Sequence, residues 1–416
     1  MTHQNGFRNL VATGALSLSS FGSAQWTTVN LHPANAVESG LTSVAGGRQV
    51  GYSLIGEAYR ASLWTGTAAS WVDLTPSWAS QSVGRAASLS QQVGESYGSS
   101  GPRATLWNGS ASAWIDLNPL GSYGSECHGA DEGSQVGWAS FLNAPNQHAA
   151  VWSGTTESCV DLNPLLASSS GAFGVGDGQQ VGWATVGAQS RASLWRGTSS
   201  SWVDLSPVGA IGSTAWSTSS GKQVGDIAFN SGGSRASIWS GSAGSWVSIH
   251  PALASGSVAR SIYRGCQAGT AVVGGHNRAS FWRGTAASWV DLHALLSSTY
   301  AESEAFGVWH DENATYVVGK AYHRSNARDE AVMWIGPPQP PKEFWVVLEK
   351  SKIAGQATFV GEIWLGRTQE TATVFSVYDN SSLVATPGSA TIAAGQRSTS
   401  FPVSVTAITG TVVTTI

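Results

Sequence analysis

The chain has 416 residues, 42% of them hydrophobic, which is enough apolar material for a packed core and excludes a chain disordered throughout. Only 11% are charged, and the net charge of −4 supplies no basic field for nucleic acid or anionic lipid. The 50 glycines and 20 tryptophans, set among few strong helix formers, suit short strands, tight turns and aromatic packing between sheets.

The first 24 residues read as an export signal. Arg8 gives a weakly positive start, residues 10–21 are mildly apolar, and Gly22-Ser23-Ala24 is a small-residue cleavage site that leaves Gln25 first. The expected location is therefore secreted or at the cell surface. No later segment reaches the roughly 18 apolar residues of a membrane helix.

From residue 26 three short patterns recur in fixed order, seven times each. The first is a Q-V-G or V-V-G strand, with glycines at Gly51, Gly94, Gly137, Gly182, Gly225, Gly274 and Gly319. The second, R-A-S-L-W, ends at Trp64, Trp107, Trp152, Trp195, Trp239, Trp282 and Trp334. The third, S-W-V-D-L-x-P, closes on Leu31, Leu74, Leu117, Leu162, Leu205, Ile249 and Leu292. A Ser/Ala/Gly-rich segment precedes each V-G strand and is split from it by turn residues such as Asp131-Glu132-Gly133 or Asp177-Gly178. Each repeat thus reads as four antiparallel strands, a to d. The small-residue strand a is expected innermost, and the tryptophans of c and d fill the wider gaps outside it.

The ends of the array define its closure. Residues 26–31 form a lone d-type strand, and residues 330–334 form a c-type strand with no d strand after it. The N-terminal strand can supply the missing partner, which predicts an all-β, seven-bladed β-propeller over residues 25–335. A Pro-rich linker at 336–342 and a small all-β domain at 343–416 follow.

Ala172-Phe173-Gly174-Val175-Gly176-Asp177-Gly178-Gln179-Gln180-Val181-Gly182, Ala305-Phe306-Gly307-Val308 and His148-Ala149-Ala150-Val151-Trp152 carry a family likeness. They resemble the HAF-type repeat of bacterial extracellular proteins. The resemblance covers residues 26–335 and implies a surface-exposed propeller with no defined catalytic residues. Pro387-Gly388-Ser389-Ala390-Thr391-Ile392-Ala393-Ala394-Gly395-Gln396 is similar to a stretch of bacterial immunoglobulin-like modules. That likeness implies a β-sandwich, which the chain leaves short of a strand at Ile416, with an open edge.

Chemistry is harder to find. Cys127, Cys159 and Cys266 show no metal or redox spacing, and Cys159 stands where other repeats have a tryptophan, as a small buried apolar side chain. His32, His250 and His293 share one repeat position on the outer strands of different blades, too far apart for one metal, and read as surface turn residues. Arg60, Arg103, Arg191, Arg235 and Arg278 recur, as do Asp73, Asp116, Asp161, Asp204 and Asp291, which points to structural hydrogen bonds more than to a ligand site in every blade. No metal or cofactor is expected.

The repeat lengthens between Ile249 and Gly274 and between Leu292 and Gly319. The longer segments of blades six and seven carry Arg260, Tyr263, Arg264, Tyr300, Glu302, Glu304, His310, Asp311 and Glu312, the candidate ligand-binding loops. Drift beside the ring closure is the alternative. The expected function is a non-catalytic binding scaffold for protein or carbohydrate. Its rivals are a lectin with one site per blade and a glycan-active hydrolase or lyase using the blade six and seven loops.

Overall fold

The computed structural model of the chain describes residues 26–338 except 143 and 231, together with 11–14, 344–348, 352–353, 357–365, 373–378, 384–385, 388–393, 395–405 and 412–413. The chain divides into one compact unit, Gln25–Pro338, and a second formed by Met1–Ala24 with Gln339–Ile416.

The first unit is a seven-bladed β-propeller. Seven antiparallel sheets of four strands follow one another, and six have simple a-b-c-d order. In the seventh, strands a to c (Tyr300–His310, Thr315–His323, Arg328–Gly336) are completed by Thr27–Asn30, which pairs antiparallel with strand c. The ring is closed by the N-terminal strand.

The second unit contains a four-stranded antiparallel sheet of Phe344–Leu348, Ala357–Leu365, Ser398–Val405 and Val384–Ala385. Thr373–Tyr378 lies between Val11–Gly14 and Gly388–Ile392 in a second sheet, and Lys352–Ile353 pairs with Val412–Val413. Of the expected export signal only residues 11–14 are described, and residues 339–342 of the expected linker lie outside the described residues.

In the propeller the motif tryptophans carry the packing. The seven indoles that end strand c are all fully buried. Those of strand d are half-buried, and Trp71, Trp202, Trp246 and Trp289 donate Nε1–H to the serine of R-A-S-L-W at 2.8–2.9 Å. In blade three both ends of this bond are replaced together, by Cys159 and Ala150, so no donor is left unpaired. Cys159 is half-buried against the core there, less enclosed than expected.

One hydrogen-bond relay joins the blades. A serine on each inner strand (Ser39, Ser82, Ser125, Ser170, Ser213, Ser257, Ser303) accepts the backbone N–H of the R-A-S-L-W alanine, or its equivalent, in the preceding blade. These contacts span 2.8–3.1 Å. Each serine also bonds the residue just after the closing apolar position: His32, Thr75, Asn118, Asn163, Ser206, His250 or His293. The three histidines are therefore not surface turn residues but half-buried parts of this relay. Ser39 already accepts the Ala331 N–H, so it donates its proton to His32 Nδ1, and Nε2–H donates to the Ala36 carbonyl at 3.0 Å. His250 repeats the arrangement with Ser257 and Ala254.

Burial, helped at His32 by Arg328 and at His293 by Arg278, lowers the pKa of all three histidines. A base whose folded pKa lies below its unfolded value of about 6.5 resists protonation only in the folded state. Propeller stability is therefore expected to hold above about pH 6.5 and to fall as the pH drops below it. Replacing all three by Asn, the residue already at 118 and 163, should flatten that part of the profile in pH-dependent chemical denaturation. An unchanged slope would remove the histidines as its source.

Blade six corrects the sequence register. A Cβ on Gly51, Gly94, Gly137, Gly182, Gly225, Gly269 or Gly319 would lie 1.8–2.0 Å from a carbonyl oxygen of strand a. In blade six that glycine is Gly269, in Gln267-Ala268-Gly269, whereas Gly274 lies in the b–c turn at φ 62°. Gln267 faces Trp282 across strands b and c as Gln49 faces Trp64. Blade six thus has no lengthened a segment, and between the closing apolar residue and the V-G glycine only blade seven carries extra residues. They form a turn of 3₁₀ helix at His293–Leu295 and the longest inner strand.

Candidate functional site: the axial cavity

Each inner strand has a β-bulge at the same repeat position. The register shifts between Leu41 and Ser43, Gly84 and Ala86, Cys127 and Gly129, Ala172 and Gly174, Ala215 and Ser217, Ala259 and Ser261, and Ala305 and Gly307. The inserted residues are Thr42, Arg85, His128, Phe173, Trp216, Arg260 and Phe306. A bulge re-aims its extra side chain and strengthens the local twist. Here all seven line a cavity of about 420 Å³ at the end of the channel where the a–b hairpins turn.

The flanking inner-strand positions are mostly small or aliphatic, so the bulge ring holds the large and chemically varied side chains. His128 meets Phe173 edge to face at 5.4 Å, and Phe173 stacks on Trp216 at 4.4 Å. The Arg260 guanidinium lies 4.1 Å over Trp216, whose Nε1–H donates to Asp226 at 2.9 Å. Four consecutive blades thus share one continuous belt of side chains. On the other side Arg85 grips the fully buried Glu95 through bonds of 2.6–3.0 Å. Glu126, two residues before the bulge at His128, is bonded by that imidazole at 3.2 Å and by Trp138 Nε1 at 3.1 Å. Burial works against the Glu126 charge, but these bonds and nearby Arg85 hold its pKa below the usual range.

The nine residues expected to form binding loops separate into four places. Arg260, Tyr263 and Arg264 line the axial cavity, and His310 packs edge-on against Tyr263 at 5.2 Å. Asp311 and Glu312 lie in the following turn, where Asp311 Oδ1 accepts the N–H groups of Asn313 and Ala314. Tyr300 belongs to the ring closure, bonding Glu330 at 3.0 Å. Glu302 and Glu304 line a separate cavity of about 190 Å³ with Lys320 and Asp329. Most of the nine stand on inner strands rather than in loops. Sequence reasoning missed Thr42, Arg85, His128, Phe173, Trp216 and Phe306. Their signal is a repeat position whose side chain changes from one blade to the next between mostly small neighbours.

No known protein family matches the chain, and no curated protein does. Among solved structures it is similar to a prolyl endopeptidase, at 11% identity and TM-score 0.47 over 82% of this chain and 55% of that one. It is similar also to a puromycin-hydrolyzing peptidase of Mycobacterium tuberculosis, at 11% identity and TM-score 0.47, over 82% of this chain and 61% of that one. TolB from Acinetobacter baumannii gives 11% identity and TM-score 0.38 over 64% of this chain and 62% of that one. The chain spans only 55–62% of the length of these three proteins. The propeller assignment rests on the seven sheets themselves.

The repeated charges are engaged elsewhere. Arg103, Arg191 and Arg278 pair with Asp116, Asp204 and Asp291 of their own blades at 2.6–3.0 Å, and in blade three His148 takes the arginine's place opposite Asp161. The second oxygen of Asp73, Asp116, Asp161 and Asp204 accepts a backbone N–H two residues on, at 2.7–2.9 Å. Among the described residues no group of three His, Cys, Asp or Glu side chains is placed to hold a metal ion. No described helix is long and apolar enough to cross a membrane.

Proposed function

We propose that the chain is a secreted or cell-surface propeller of the HAF-type extracellular class that acts by binding, not catalysis, and takes one protein or glycan ligand in the axial cavity. The immunoglobulin-like module at 343–416 then serves as spacer or anchor. The observation that carries this reading is the bulge ring. In a sevenfold repeat, the inserted bulge position varies from Thr to Trp to Arg and faces a common cavity in every blade, and such asymmetry suits one ligand rather than seven. Of the arginines and aspartates that a lectin with a site in every blade would use, Arg103, Arg191 and Arg278 are spent on Asp116, Asp204 and Asp291, and Asp73 and Asp161 accept backbone N–H groups. The hydrolase alternative relies on the blade six and seven carboxylates, whereas Glu302 and Glu304 line the other cavity, and of the axial carboxylates Glu132 accepts the Leu89 N–H and Asp177 the Ser220 N–H.

Calorimetric titration of the full chain against a glycan and protein panel tests the reading. Saturation at one ligand per chain, weakened by Trp216→Ala, is expected. Saturation near seven would restore the lectin with a site in every blade.

A further inference from the structure

Resting on the axial cavity as the binding site, we infer that its blade-six wall reads a carboxylate, and that the ligand is an acidic sugar, an oligosaccharide bearing uronate groups. The arginines of the cavity differ in how they are compensated. Arg85 is neutralised by Glu95. Among the described residues no carboxylate oxygen reaches ion-pair distance of Arg260 or Arg264. Trp216 covers one face of the Arg260 guanidinium, and its Nε is buried without a hydrogen-bond partner. Asp226, the carboxylate best placed to answer it, is instead bonded by Trp216. Burial accordingly lowers the Arg260 pKa, with Asp226 and Glu304 only partly offsetting it through space. Arg264 stands four residues on at the exposed a–b turn, beside Tyr263.

A planar guanidinium left uncompensated at a cavity wall is matched by a carboxylate, which it can bind through two parallel hydrogen bonds. The rest of the wall favours a sugar as the bearer of that group. Ser217, Ser219 and Ser261 line the cavity, and each accepts a backbone N–H from the next blade: Ile262, Arg264 and Val308. Each hydroxyl proton is thus left to be donated to a ligand oxygen. The same bonds occupy the N–H groups that an added peptide strand would need along this edge. Tyr263 and Trp309 supply apolar surface beside the arginines.

The test titrates the full chain with digalacturonate, diglucuronate and dimannuronate, with their methyl esters, and with the acidic peptide Gly-Gly-Glu. At least one diuronate is expected to saturate at one per chain, its ester to bind at least tenfold more weakly, and Arg260→Gln to weaken the acid at least tenfold. Arg103→Gln, whose guanidinium is spent on Asp116, should leave binding unchanged. If Arg260→Gln melts early, Arg264→Gln carries the comparison. The carboxylate reading is overturned by an ester that binds as tightly as the acid, by indifference to both arginine variants, by binding of the peptide alone, or by no diuronate binding. Ser261→Trp, which fills the wall, separates the two readings. If it abolishes binding that ignores Arg260, the axial site stands without the carboxylate. If binding ignores Ser261→Trp as well, the axial site falls too.

Discussion

Gly182→Ala is expected to destabilise the propeller by about 3 kcal/mol, at the upper end of what overpacking a core costs. A Cβ there would lie 1.9 Å from the Gly171 carbonyl oxygen and 2.8 Å from the Ala172 Cα, both backbone atoms that cannot swing aside. The contact is a consequence of the bulge. Shifting the register between Ala172 and Gly174 pushes the strand a backbone against strand b, and only glycine leaves room for it. The same geometry recurs in every blade, so the V-G glycines are required by the feature that aims side chains at the axis. Gly212→Ala is the control, because nothing lies within 4 Å of its would-be Cβ, and it should change stability by no more than about 0.5 kcal/mol. Equilibrium urea denaturation of the two variants decides the matter, and similar midpoints would mean that the inner strand yields to the extra methyl.

This link between glycine and bulge explains why the fold was legible in the sequence and the site was not. Trp64 and its six counterparts, the V-G glycines and the split outer strand are requirements of the blade, and they repeat because every blade has them. A bulge adds one residue without prescribing its type, so Phe173 and Phe306 read as parts of a family motif, and Arg85, His128 and Trp216 have no shared residue type to mark them. Arg260 was singled out, but for the wrong reason: the supposed lengthening of blade six came from placing the V-G glycine at Gly274 when Ala268-Gly269 holds that role. The histidines misled in the opposite direction. Equivalent positions at His32, His250 and His293 suggest a shared property, yet that property depends on a serine seven or ten residues later, which must be read together with Thr75, Asn118 and Asn163 to become visible.

The closure of the ring makes the second large effect, centred on Glu330. In the other blades a basic residue of strand c commonly meets an aspartate of strand d, but the seventh blade reverses the pair: Glu330 stands on strand c, and Asn30 of the N-terminal strand donates to it at 2.7 Å. Tyr300, Asn326 and Arg328 donate to the same carboxylate at 2.9–3.1 Å, and its residue is only 3% exposed. Burial opposes the charge, yet the four donors hold the pKa down to about 2. Since that lies below the usual value near 4.5, the stabilisation is complete above about pH 4.5 and is lost as the pH falls from there toward 2. Glu330→Ala leaves Arg328 and three neutral donors facing an empty acceptor site, and a loss of about 3 kcal/mol is expected. Glu330→Gln keeps the shape and part of the bonding, so it should lose less while removing the acid-dependent part. The loss should be local before it is global, because Thr27–Asn30 pairs with a single strand of the last blade and Asn30 donates to this carboxylate. Hydrogen exchange measured on Glu330→Ala at neutral pH is therefore expected to accelerate first at residues 27–30 and in strand c of blade seven, with the remaining blades still protected. Uniform acceleration around the ring would mean that closure and blade packing fail as one unit, and that the N-terminal strand is no separate latch.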